Sequence, residues 1–142
     1  MRFVLDTVTV VAAFRSNRGA SNRLLVAILE GRATLLVSTP LLLEYEAVLT
    51  RSSHVTASGL SVEEINLVLD SLAAKAEAVR LAYLWRPALS DPDDDMVLET
   101  AVNGRADALV TFNKRDFIDV APQFGLAVLS PGEAVQRMEA HR

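Results

Sequence analysis

Short apolar segments of strand length alternate along the chain with longer segments whose apolar residues recur at helical spacing. The strand-length runs predict five strands: Arg2–Asp6, Thr34–Ser38, Ala78–Ala82, Ala108–Thr111 and Leu126–Leu129. Helical spacing predicts five helices: Ala20–Glu30, Pro40–Thr50, Ser61–Ala76, Asp93–Asn103 and one that begins at Ser130. The alternation of the two types predicts an α/β fold in which helices cover a parallel sheet.

Local signals at the helix ends agree with these limits. Gly31 follows the first predicted helix as a stop signal, and Pro40 fits the first position of the next helix. Ser61 followed by Glu64 resembles a capping box, in which each side chain bonds to the backbone of the other residue.

Polar residues gather where the predicted strands end. Asp6 ends the first strand, while Thr111, Asn113 and Asp116 end or follow the fourth. The acidic run from Asp91 to Asp95 lies at the start of the helix that leads into the fourth strand. Because ligands of open parallel sheets bind beyond the carboxyl ends of the strands, these residues indicate where a site would form.

Composition narrows the class of protein. The 142 residues are the size of one domain, and the 51% hydrophobic and 23% charged content is typical of a globular chain. No apolar run reaches the roughly 20 residues that span a bilayer, and the start MRFVLDT has no signal-peptide pattern. We therefore expect a soluble cytoplasmic protein without membrane association.

The net charge of −4 changes this picture little, but the absence of cysteine excludes disulfides and thiolate metal sites. A dedicated nucleic-acid-binding protein is usually basic, so the acidity argues weakly against such a ligand. A bound divalent metal ion would weaken that objection, because the ion itself supplies positive charge.

The stretch SDPDDDMVLETA places four aspartates within five positions: Asp91, Asp93, Asp94 and Asp95. A structural interpretation accounts for the first two, because aspartate favours an N-cap and acids in a first turn favour the helix dipole. Asp94 instead continues the apolar helical stripe of Val97, Leu98 and Ala101, which directs it towards the sheet. Asp95 is its neighbour and competitor. A carboxylate so close to the core requires a metal ion or an arginine.

Three further acids have comparable positions. Asp6 stands between two apolar runs, so it caps the next helix or serves a site. Glu44 lies near the apolar stripe of LLLEYEAVL with Glu46 as its competitor, and helical spacing does not choose between them. Asp116, in TFNKRDF, follows a short buried strand and is either a turn residue or a ligand.

These acids would form a carboxylate-only cluster, which suits hard oxygen-preferring cations such as Mg²⁺ or Mn²⁺. Such ions activate water and stabilise phosphoryl displacement.

The segments VLDT, VSTPLLLEYEAVLTR and SDPDDDMVLETAVNGRADALVTFNKRDF, in this order, resemble the PIN-domain family. They resemble most closely its VapC-like toxin ribonucleases from prokaryotic toxin–antitoxin modules. The resemblance extends from Phe3 to about Leu129, and DPDDD followed by ADALVT is its most specific part. It implies a three-layer α/β/α sandwich with a mainly parallel central sheet, with residues 1–142 forming a single PIN-like domain.

The resemblance also implies a function and a set of site residues. The function is Mg²⁺- or Mn²⁺-dependent cleavage of RNA, with a small antitoxin protein and a second copy of the chain as partners. The implied catalytic and metal-binding acids are Asp6, Glu44, Asp94 and Asp116, with Asp95 as a further ligand and Asp91, Thr111 and Asn113 as supporting residues. Arg15, Arg18 and Arg23 lie in and beside SNRGASNR and are candidates for contacts with the RNA backbone.

The chain departs from the family pattern at Val8, where the family has asparagine after Asp-Thr. Valine forms no side-chain hydrogen bond, so Thr7 or Thr9 would have to replace that contact. Two alternatives to a metal-dependent ribonuclease stay open. One is a PIN-like binding scaffold without catalysis. The other is a haloacid-dehalogenase-like phosphatase, whose motif needs an acid where Val8 stands.

Overall fold

A computed structural model of the chain describes residues 1–82 and 92–140. Its centre is a five-stranded sheet, and every neighbouring pair of strands is parallel. The strands are β1 (Arg2–Leu5), β2 (Thr34–Val37), β3 (Glu77–Ala78), β4 (Ala108–Val110) and β5 (Ala127–Leu129). Their order across the sheet is β3-β2-β1-β4-β5, which confirms the predicted parallel sheet.

Helices cover both faces of the sheet. The described residues form α1 (Thr7–Arg15), α2 (Ala20–Leu29), α3 (Thr39–Leu49), α4 (Ser52–Ser58), α5 (Val62–Lys75), α6 (Pro92–Asn103) and α7 (Pro131–Ala140). Two 3₁₀ turns, Lys114–Asp116 and Ala121–Phe124, lie between β4 and β5. The result is a three-layer α/β/α sandwich, so the predicted fold class is confirmed.

Side-chain caps set the start of several helices. Ser61 and Glu64 form the predicted capping box at the start of α5, with both reciprocal bonds present at 3.1 Å. Ser38 caps α3, and Asp6 caps α1. Each cap provides a partner for a backbone N–H that the first helical turn leaves unbonded.

The core is centred on β1, where Phe3, Val4 and Leu5 are fully buried. Helix α6 packs against β1, β2 and β4. Its predicted apolar stripe is buried, but so is the polar Thr100 on the adjacent side, which bonds to Ser38 at 2.8 Å. The N-cap residue of α3 therefore pairs the hydroxyl group of this buried threonine.

Three elements differ from the sequence prediction. The third strand, predicted at Ala78–Ala82, is Glu77–Ala78, because its described neighbour β2 ends at Val37. The run after Asp6 forms helix α1. The short helix α4 was not predicted, because it buries no residue fully and therefore has no apolar stripe.

The strand order places the carboxyl ends of β1 and β4 side by side. From β1 the chain continues to β2 on one side, and β4 lies on the other side. Such a reversal opens a crevice between the connections, where ligands of this fold class bind. None of the helices in the described part of the chain has the length and apolar character that crossing a bilayer requires.

Candidate active site

Asp6 follows β1 directly and is held by hydrogen bonds from both sides. Its Oδ1 accepts from the backbone N–H of Thr9 at 2.9 Å and from Thr9 Oγ1 at 2.6 Å. Its Oδ2 accepts from Thr111 Oγ1 at 2.5 Å, and its N–H donates to the Val110 carbonyl at 3.1 Å. Asp6 is 8% exposed, so its carboxylate has a fixed orientation and retains an open side. Thr9 thus makes the contact for which Thr7 and Thr9 were the predicted candidates.

The residues after β4 extend this network. Thr111 is fully buried, and its Oγ1 also accepts from the Asn113 N–H at 3.0 Å. Asn113 Nδ2 donates to Asp116 Oδ2 at 2.9 Å. Asp116 is exposed on the 3₁₀ turn, and its side chain is turned towards Asn113. Thr111 therefore supports Asp6 directly, and Asn113 links the two to Asp116.

Helix α3 contributes Glu44, which is half-buried and lines the same cavity as Asp6. Glu46 is exposed and does not line that cavity. Between them lies Tyr45, which is buried and donates its hydroxyl proton to the Leu5 carbonyl. Burial raises the pKa of Tyr45 well above its usual value, and the negative charge of Asp6 raises that pKa further. Tyr45 thus ties α3 to the end of β1 as a neutral donor.

Helix α6 separates the two candidate aspartates. Asp94 is half-buried and lines the cavity, whereas Asp95 is 2% exposed and is not part of the lining. The predicted supporting residue Asp91 lies outside the described residues. The structure therefore places Asp94, the residue on the apolar stripe, beside Asp6 and Glu44.

The cavity has a volume of about 390 Å³ and carries groups of both charges. Three carboxylates line it, together with three basic side chains, Arg15, Arg51 and His54. The other lining residues are the polar Thr7 and the apolar Val8, Val11, Val48 and Val97. The side chain of Val8 is 62% exposed, so position 8 presents a methyl surface to the cavity in place of an amide.

Of the three arginines predicted to contact RNA, one lines the cavity and two do not. Arg15 ends α1 and lines the cavity. Arg18 is exposed in the following loop, and Arg23 pairs with Glu139 at 3.0 Å beside a different pocket. Two basic lining residues, Arg51 and His54, were not predicted. Both belong to α4 or its N-cap, where the sequence shows no apolar stripe that would indicate a helix.

The carboxylates provide the donors that a hard divalent cation requires. Asp6, Glu44 and Asp94 offer only oxygen atoms, which suits Mg²⁺ or Mn²⁺. Within residues 1–82 and 92–140, no three histidine, cysteine, aspartate or glutamate side chains are arranged to hold a metal ion. Mg²⁺ typically uses one or two carboxylates and completes its coordination with water and substrate phosphates. The donor set therefore fits such an ion.

Comparison with known proteins gives one family and one fold. The sequence profile of the PIN domain matches residues 2–115. The chain is similar to the crystal structure of VapBC2 from Rickettsia felis bound to a DNA fragment from their promoter, with a TM-score of 0.63 and 17% identity. That similarity covers 92% of this chain and 98% of the other, and at this identity it shows a shared fold. No protein with a curated description matches the chain.

Proposed function

The chain belongs to the PIN domain family, and from that premise we propose that it is a metal-dependent ribonuclease that hydrolyses RNA phosphodiester bonds. One observation carries the proposal: Asp6, Glu44 and Asp94 come from three separate elements and line one cavity at the carboxyl end of β1. Oxygen-donor side chains gathered at one cavity suit a hard divalent cation.

In this proposal Asp6, Glu44 and Asp94 would hold one or two Mg²⁺ or Mn²⁺ ions, each through one or two of these carboxylates. Such an ion supplies the acidity that activates water and the positive charge that a phosphodiester needs in the transition state. Thr9 and Thr111 fix the orientation of the Asp6 carboxylate, as partners of metal ligands commonly do. Asp95 and Asp116 stay predictions as ligands, because neither lines the cavity.

The direct test is cleavage of a labelled single-stranded RNA by the purified chain with Mn²⁺ or Mg²⁺, with and without excess EDTA. We expect cleavage only with metal, and none by Asp94→Asn. Asp70→Asn is the matched control, because it removes the same charge from an exposed position on α5, outside the cavity. Cleavage that persists both in EDTA and in Asp94→Asn would contradict the proposal.

A PIN-like scaffold that binds a partner without catalysis is the second candidate, and the position of Val8 favours it. This side chain is exposed in the cavity and cannot hydrogen-bond to a carboxylate or to water. Calorimetric titration with Mn²⁺ and Mg²⁺ separates the two candidates, because an absence of binding near millimolar concentrations would favour the scaffold.

The haloacid-dehalogenase-like alternative has no support in these observations. Its motif needs a second acid at position 8, where Val8 presents methyl groups. The PIN domain match also extends over most of the chain.

We also propose that the protein is the cytoplasmic toxin component of a toxin–antitoxin module. Membership of the PIN family and a fold shared with VapBC2 support this role. The partners are a small antitoxin and a second copy of the chain, and α5 offers an apolar surface in Leu67, which is 66% exposed. Residues 1–142 would form one PIN domain, because the sheet continues to β5, beyond the matched range.

Two measurements test this role. Expression of the chain should arrest growth, and co-expression of a neighbouring small reading frame should relieve the arrest. Light scattering of the purified chain should give the mass of a dimer. A monomer at micromolar concentration would remove the homodimer from the proposal.

A further inference from the structure

The basic residues that line the cavity have a role that the carboxylates do not explain. We propose that Arg15, Arg51 and His54 form a seat for a backbone phosphate of single-stranded RNA, next to the phosphate that is cleaved. This inference rests on the proposed function, since it names the contact that holds the substrate at the same cavity.

The three side chains come from different elements that pack together. Arg15 is the last residue of α1, Arg51 is the N-cap of α4, and His54 lies in the first turn of α4. Helix α4 packs against both α1 and α3. The fold therefore brings three basic groups to the same cavity that Asp6, Glu44 and Asp94 line.

Arg15 and Arg51 form no ion pair with the described part of the chain. Elsewhere Arg2, Arg23 and Arg32 pair with Glu77, Glu139 and Glu30. No salt bridge joins Arg15 or Arg51 to any residue in the ranges 1–82 and 92–140, although three carboxylates line the same cavity. Their guanidinium groups keep donors for an external anion, and guanidinium geometry matches a phosphate.

His54 adds an independent observation. Its Nδ1 is shielded from solvent and has no hydrogen-bond partner among the described residues. A buried polar atom without a hydrogen-bond partner is unfavourable, so such atoms are rare in folded proteins and call for an explanation. Because His54 also lines the cavity, a change in the orientation of its ring would let a phosphate oxygen accept a hydrogen bond from it.

The arrangement of the two charges favours a phosphodiester over a simple anion. A simple anion would use only the basic residues that line the cavity. A nucleic-acid strand instead offers successive phosphates. One phosphate would lie at the metal ion held by the carboxylates, while the adjacent phosphate would contact the basic residues of the cavity. Contacts of this kind position the strand without reading its sequence.

The test measures binding of a fluorescent single-stranded RNA oligonucleotide by anisotropy in EDTA, over a series of salt concentrations. We expect Arg51→Gln and His54→Gln each to weaken binding about tenfold, which is the size of one charged hydrogen bond. Each loss of a phosphate contact should lower the slope of log affinity against log salt by roughly 0.7. Arg32→Gln is the matched control, because it removes the same charge from an exposed residue beside a different pocket.

The outcomes separate this inference from the proposed nuclease. Binding is measured without metal, so it does not depend on cleavage. A wild-type chain that binds RNA but does not cleave it with metal would contradict the proposed nuclease activity. The variants would then still test the proposed phosphate contact. If Arg51→Gln and His54→Gln keep the affinity and salt slope of Arg32→Gln, the seat is overturned. Arg51 is exposed, so its variant remains informative even if His54→Gln unfolds.

Discussion

Thr111 Oγ1 donates a 2.5 Å hydrogen bond to Asp6 Oδ2 and so joins two residues that lie 105 positions apart in the chain. Asp6 follows β1 and Thr111 follows β4, and these two strands are direct neighbours in the sheet. The bond fixes the second oxygen of a carboxylate whose first oxygen is already held by Thr9. The orientation of Asp6 is therefore set from both flanking segments.

Replacing Thr111 with valine should disturb both stability and the proposed metal site. Thr111→Val removes a hydrogen bond to a buried carboxylate, so we expect the free energy of unfolding to fall by about 1–3 kcal/mol. Partners of metal ligands typically contribute roughly 10- to 100-fold to metal affinity, and we expect a loss of Mn²⁺ affinity in that range. Urea unfolding and calorimetry measure the two effects. Thr111→Ser retains the hydroxyl group and should behave like the wild type; equal losses in both variants would contradict this role.

The sequence predicts those parts of the site that lie at strand ends. Asp6 and Thr111 follow apolar runs, and parallel strands bring their carboxyl ends to one edge. Asp94 lies on a helical stripe that continues into buried Val97 and Leu98, so its direction could also be predicted. These residues share one property: a regular repeat fixes where their side chains point.

Arg51 and His54 could not be predicted as residues of the cavity, for a physical reason. Helix α4 has no fully buried residue and no side-chain cap, so its sequence has neither periodicity nor a start signal. Tertiary packing against α1 and α3 stabilises it instead, and it is this packing that brings His54 to the cavity. Glu44 and Glu46 show the same limit, because both lie near the edge of the apolar stripe and only the packed structure separates them.

Glu44 and Glu46 provide a matched pair for testing the site. Both lie on α3, but only Glu44 lines the cavity, while Glu46 is exposed. We expect Glu44→Gln to reduce metal-dependent RNA cleavage by at least about a hundredfold, the upper end for partners of metal ligands. Glu46→Gln removes the same charge and should leave the cleavage rate within about twofold, since surface changes have little effect. Equal rates for the two variants would show that α3 contributes no ligand.

The end of α6 offers a prediction about backbone strain. Arg105 has a φ of 52°, in the left-handed region where a helix usually has glycine, and Ala106 N–H bonds to the Ala101 carbonyl to close the helix. Glycine stands one position earlier, at Gly104. We expect Arg105→Gly to raise the free energy of unfolding by up to about 1 kcal/mol, because it removes the left-handed cost of a side chain. A lower urea midpoint in this variant would contradict the claim that the left-handed backbone at Arg105 destabilises the fold.

Gly104 should respond in the opposite direction. A Cβ there would lie 2.8 Å from Val79 Cγ2, 3.0 Å from the Thr100 carbonyl oxygen and 3.1 Å from Leu36 Cδ1. Because the backbone oxygen cannot move away easily, we expect Gly104→Ala to destabilise the fold by about 1–3 kcal/mol, as overpacking does. Urea unfolding of both variants under the same conditions gives the comparison. A Gly104→Ala variant as stable as the wild type would show that this close contact relaxes at little cost.

Glu133 at the start of α7 should give the fold a specific dependence on acid. Its carboxylate accepts from Lys114 Nζ at 2.6 Å and from the Ser130 N–H at 3.0 Å, and these bonds lower its pKa from 4.5 to about 2. A group whose pKa is lowered on folding contributes stability above its unfolded pKa, and that contribution disappears as pH falls through the folded value. The pair is partly exposed, so its effect is screened by salt.

Urea midpoints of the wild type, Glu133→Gln and Lys114→Gln, measured from neutral pH downwards, test this dependence. Above about pH 5 the urea midpoint of the wild type should be higher than that of either variant by a constant amount. This difference in midpoint should shrink between about pH 4.5 and 2, where the wild-type carboxylate takes up its proton. Glutamine at position 133 retains an oxygen that can accept from the Ser130 N–H, so the helix cap persists and the comparison isolates the charge. Lys114→Gln should show the same trend, because the bond from Lys114 is the largest cause of the lowered pKa. A difference that stays unchanged down to about pH 2.5 would mean that the charge of Glu133 does not stabilise the junction between β5 and α7.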